Sequence, residues 1–91
     1  MISSRILDKY QKAHDRHLSA PAVARGYRDF DTFALRAGYD NPDRAYAIVY
    51  AQWLDACNAF GRQLMVEIDA GLHAPVSVDE YIALLPALVL P

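Results

Sequence analysis

The stretch NPDRAYAIVYAQWLDACNAFGRQLMVEIDAG, residues 41–71, decides the fold. Asn41 reads as an N-cap, Pro42 as the first helical residue and Asp43 as a first-turn acid that complements the helix dipole. Beyond Pro42 no residue except Gly61 disfavours a helix before Gly71. The spacing therefore predicts one helix over 42–70, roughly 40 Å long at ~1.5 Å per residue. On a helical projection Tyr46, Val49, Tyr50, Trp53, Ala56, Cys57, Phe60, Leu64 and Ile68 share one broad face, opposite Arg44, Asp55, Asn58, Arg62 and Asp69. A glycine inside a helix costs about 1 kcal/mol relative to alanine, so Gly61 predicts a close helix crossing or a kink.

So long an apolar flank needs at least two other helices to cover it. Upstream, Ser3 or Ser4 caps a first helix running to about Leu18, whose inner face carries Ile6, Leu7, Tyr10, Ala13, His14, His17 and Leu18. Asp8 with Lys12, and Lys12 with Asp15, sit at helical neighbour spacing on its outer face. Ser19 as a second cap, Pro21 in a first turn and Gly26 as a stop predict a separate short helix over 20–25. Asp31 reads as the cap of a helix over 32–37 that ends at Gly38. Downstream, Ser77-Val78-Asp79-Glu80 has the form of a capping box, and Pro86 stops the helix it opens. The apolar tail 83–91 must lie along the long helix or bury against a second chain, which makes a homodimer an expectation. The expected architecture is all-α: a small bundle of four to five helices built on the central one, in a single domain over 1–91.

Composition narrows the classes of function. The 91 residues are 54% hydrophobic and 22% charged, enough apolar matter for one core. A net charge of −2 argues against both a strongly basic nucleic-acid clamp and a polyanionic mimic of nucleic acid. Residues 1–44 carry a charge of +2 and residues 45–91 a charge of −4, a division that suits a solvated surface or an oriented partner. One cysteine, no secretory h-region in the first residues and no membrane-length apolar run lead to an expectation of a soluble cytoplasmic protein.

Candidate chemistry is sparse. His14 and His17 are three residues apart, but no further ligand set accompanies them, so no metal is expected and both read as core-edge histidines. Cys57 falls on the apolar face, where a thiol acts as a small hydrophobe. Asp40 and Asp43 flank a turn and serve turn and helix-start chemistry better than a catalytic dyad. There is no nucleophile elbow, phosphate-binding loop or dinucleotide fingerprint, so neither enzyme activity nor a cofactor is expected.

The sharpest local pattern is residues 30–49, FDTFALRAGYDNPDRAYAIV. In the placing of Ala34, Gly38, Tyr39, Ala45 and Val49 it resembles the helix-turn-helix of AraC-type regulators. That resemblance implies DNA binding, with Arg44 and Ala47 toward bases and Arg36 toward the backbone. The same segment is rich in the residues that anchor protein interfaces, and ten aromatic residues are too many for so small a core to hide. Tyr27, Arg28, Arg36, Tyr39 and Arg44 are therefore the expected partner-binding residues. The expected function is a non-catalytic regulator, inhibitor or adaptor that occludes or bridges a larger protein; DNA binding through residues 30–49 is the alternative.

Overall fold

In a computed structural model, which describes residues 3–91, the protein is all-α. The described residues form α1 (Ser4–Ala24), α2 (Phe30–Ala34), a 3-10 turn (Leu35–Gly38), α3 (Arg44–Asp69) and α4 (Val78–Leu84). The molecule measures 45 × 20 × 19 Å, and α3 supplies the long dimension. None of these helices is long and apolar enough to cross a membrane.

Ser3 caps α1 by accepting the Ile6 amide at 3.3 Å. The helix does not stop near Leu18 and restart; it runs unbroken through Pro21 to Ala24. Proline already has a helical φ and forfeits only one backbone bond, and the last turn is held by Ala22, which is fully buried. Packing of that turn outweighs the punctuation. Gly26 at φ +90° and Gly71 at φ +77° then close α1 and α3 in the same way. Tyr27 N–H donates to the Ala22 carbonyl and Leu72 N–H to the Glu67 carbonyl, six-to-one bonds that need a left-handed residue just before the donor.

Two helix starts differ from the sequence reading. The cap of α2 is Asp29, not Asp31: its Oδ1 accepts the Thr32 amide at 3.0 Å while Thr32 Oγ1 accepts the Asp29 amide at 3.2 Å. A threonine closes this reciprocal pair in place of the usual glutamate. Before α3, Asn41 Oδ1 accepts the Asp43 amide at 3.0 Å, and its amide nitrogen donates to the carbonyls of Arg36 and Tyr39. Asn41 thus builds a turn, and α3 begins at Arg44, two residues beyond the expected start.

Tyr50, Trp53, Cys57 and Leu64 of α3 are buried as expected, together with Ala47, Leu54 and Gly61. Ala56 faces solvent, and Asn58, expected on the outer side, is half-buried against α1. The buried stripe is shifted toward α1 and α2 because those helices supply the cover. Tyr50 donates its hydroxyl proton to the Leu18 carbonyl, and Tyr10 donates to the Val76 carbonyl. The capping box of α4 forms as read, with Glu80 N–H on Ser77 Oγ at 3.1 Å. After Leu84 the extended tail lies along α3: Leu85 is buried, Leu88 packs on the core, and Trp53 Nε1–H donates to the Pro86 carbonyl at 2.7 Å.

Candidate functional site

The segment between α1 and α3 folds into a corner braced from within. Tyr27 stacks on Phe33 with ring centroids 4.8 Å apart and planes 11° apart, and Phe33 stacks on Tyr50 at 4.6 Å. Phe33 and Tyr50 are fully buried, so Tyr27 is the surface end of a row of rings rooted in the core. The Arg25 guanidinium lies over the Tyr46 ring at 4.3 Å and over Phe33 at 5.5 Å, and pairs with Asp43 at 3.6 Å. Asp43 also accepts the Tyr27 hydroxyl proton. That hydrogen bond, which favours the protonated phenol, is the main reason the Tyr27 pKa is raised.

Upon this base sits Arg36. Its guanidinium carbon is 5.6 Å from the Tyr27 centroid and 5.8 Å from that of Tyr39, and it donates to the Tyr39 hydroxyl. Leu35 beside it is 68% exposed, and Tyr39 is exposed as well. Thr32, Leu35, Arg36, Gly38 and Tyr39 line a shallow depression here. Of the five expected partner-binding residues, Tyr27, Arg36 and Tyr39 come together. Arg44 folds back on the turn, 3.2 Å from Asp40 and 3.4 Å from the Ala37 carbonyl. Arg28 pairs at 3.5 Å with its neighbour Asp29 and takes no part in the ring cluster's contacts. Asp29 has a carboxyl pKa lowered chiefly by the Thr32 amide bond, with Arg28 adding to the effect.

Arg25, Arg28 and Arg44 each face a carboxylate; among the described residues Arg36 has no carboxylate partner. The corner therefore presents one uncompensated cation framed by two tyrosines and a leucine. Arg25 and Leu35 were not among the expected partner-binding residues, and Asp43 was read only for turn and helix-start chemistry: the Arg25 to Asp43 pair spans eighteen residues and has no local signature.

The resemblance to a DNA-reading helix-turn-helix fares differently. Ala47, placed toward bases by that resemblance, has 0% of its surface exposed, because α2 and the 3-10 turn pack over that face of α3. Gly38 has neither a left-handed φ nor a neighbour within 4 Å of where a Cβ would stand, so no close crossing depends on it.

A second feature lies between α1, α3 and α4. His14, 5% exposed, places Nε2 2.8 Å from Asn58 Oδ1 and Nδ1 2.7 Å from Tyr81 Oη. The asparagine oxygen only accepts, so Nε2 carries a proton and donates it to Asn58, while Nδ1 shares the second hydrogen bond with the Tyr81 hydroxyl. Burial raises the Tyr81 pKa. Above this network opens a cleft of about 570 Å³, walled by Leu7, Tyr10, Met65 and Val66 and edged by Gln11 and Arg62. Gly61 forms part of its floor; a Cβ there would collide with Tyr81 Oη. The close approach expected at Gly61 is therefore to a tyrosine hydroxyl from α4.

Other candidate groups do not assemble. His17 sits by Trp53, 5.7 Å between centroids, and His73 bonds a neighbouring carbonyl. No group of three or more His, Cys, Asp or Glu side chains among the described residues is disposed to hold a metal ion. Cys57 is buried in the core, which raises its thiol pKa. Asp40 pairs with Arg44 whereas Asp43 faces Tyr27 and Arg25, so the two carboxylates serve separate partners. No protein-family model matches the chain, and no curated protein or solved structure matches it.

Proposed function

We propose that the protein is a small non-catalytic binding protein, a regulator, inhibitor or adaptor, that engages a larger protein through the corner around Arg36. The observation that carries this reading is the Arg36 guanidinium held by Tyr27 and Tyr39 next to an exposed Leu35, with no carboxylate partner among the described residues. Tyrosine and arginine on a rigid base lose little conformational freedom on binding and supply both apolar area and directed donors. A partner presenting a carboxylate beside an apolar side chain would satisfy both halves of the corner. Arg28 and Arg44, each already paired at the edge, would contribute to orientation more than to affinity.

The homodimer proposal now has a narrower basis. The tail that motivated it packs on its own chain through Leu85, Leu88 and the Pro86 carbonyl, leaving Leu84 and Val89 as the tail residues that a second copy would cover. Light scattering on the purified chain measures this directly.

The test of the binding reading is quantitative affinity enrichment from the native cell. Wild type is compared with Arg36→Ala, Tyr39→Ala and the remote control Arg16→Ala, all checked by circular dichroism. The expected result is a reproducible protein partner lost with both corner variants and kept with the control. Equal enrichment by all four chains overturns the reading. Duplex DNA at low salt serves as the competing ligand, and salt-sensitive binding that requires Arg44 would favour the alternative reading.

A further inference from the structure

The cleft between α1 and α3 is distinct from the corner: residues 44 and 62 are eighteen apart on α3, about 27 Å along the helix. Its polar interior is self-sufficient, since His14, Asn58 Oδ1 and Tyr81 consume one another's hydrogen-bonding capacity and no buried side-chain polar atom among the described residues lacks a partner. An apolar group resting there strands no buried donor or acceptor. The walls are apolar and uncovered: Val66 is 62% exposed, and Leu7 is also open to solvent. The size falls within the range of small-molecule sites.

Among the lining residues Arg62 is the only one with a formal charge, and it has no ion pair among the described residues. Asn58 lies one turn before it on the same side of α3. Because the Asn58 oxygen is committed to His14, what Asn58 retains for a ligand is its amide N–H donors. A guanidinium and an amide one turn apart, at the edge of an apolar trough, suit a single negative charge with planar acceptor oxygens.

We propose that this cleft binds a small amphipathic carboxylate, of the medium-chain fatty-acid class. Its head takes the Arg62 guanidinium and the Asn58 amide, and its hydrocarbon body lies against Leu7, Tyr10, Met65 and Val66. One positive charge selects a monoanionic head, and the mutually bonded network beneath selects an apolar body.

The test is calorimetric titration of the full chain with octanoate below its micellar concentration, alongside octanol and octylamine, and in parallel with Arg62→Gln. Amide chemical shifts of residues 7–14 and 58–66 report the location. The expected result is saturable octanoate binding at these residues, about tenfold weaker for octanol and for the Arg62→Gln chain, as the loss of a charge-assisted hydrogen bond implies. Octylamine is expected not to bind there. The proposal is overturned if octanoate does not saturate, if its shifts map elsewhere, or if octanol or the Arg62→Gln chain binds as tightly. Arg62 is exposed, so its substitution leaves the packed floor of the cleft intact.

Discussion

Tyr81 Oη lies 2.7 Å from His14 Nδ1 in the space that a side chain at Gly61 would need. One missing Cβ on α3 thus lets α4 reach α1 across the long helix. Gly61→Ala is expected to destabilise the protein by about 1–3 kcal/mol through overpacking, although alanine is the better helix former. Tyr81→Phe removes the colliding atom, so the double variant is expected to be less destabilised than the two single changes sum to. Urea denaturation of the four chains checks this, and strict additivity contradicts it.

The tail is expected to be a structural strap. Trp53 is the chain's only tryptophan, buried at 6% exposure with its indole N–H on the Pro86 carbonyl, next in sequence to the buried Leu85. Deleting residues 85–91 is expected to red-shift its fluorescence and to lower stability by roughly 1.5–3 kcal/mol for the lost burial of Leu85. An unchanged emission maximum would mean the tail does not cover the indole in solution.

Asp29 sets an acid dependence of the corner. Its folded pKa lies below the ordinary 3.8 because the carboxylate caps α2, so its contribution is present above the unfolded value and lost as pH falls through the folded one. An asparagine at this position caps without titrating. Between neutral pH and about pH 2 the wild type is expected to lose more stability than the Asp29→Asn variant, read as the fall in denaturation midpoint. Parallel falls in the two chains would remove the cap from the account.

The long helix was legible because its signal is periodic and repeated: Tyr50, Trp53, Cys57 and Leu64 each vote for the same face. The capping box at Ser77 was legible because both partners lie within one turn. Ser19, Pro21 and Asp31 misled because cap and breaker residues permit helix ends without requiring them; buried Ala22 holds the α1 turn, and Asp29 already serves α2. The His14 network and the Arg25 to Asp43 pair join residues distant in the chain. No local spacing encodes such pairs; they arise from the way helices pack. For the same reason the tyrosines and arginines of the corner were recognisable as a set, while their division into a clustered trio and two outliers was not.

The direct measurement of the corner's role is photo-crosslinking from a reactive amino acid placed at position 35 in the native cell, with position 16 as the remote control. A discrete protein adduct is expected from position 35, disappearing when Arg36→Ala and Tyr39→Ala are introduced together, and no such adduct is expected from position 16. An adduct pattern at position 35 that is absent, or unchanged by those two substitutions, contradicts a binding role for the corner.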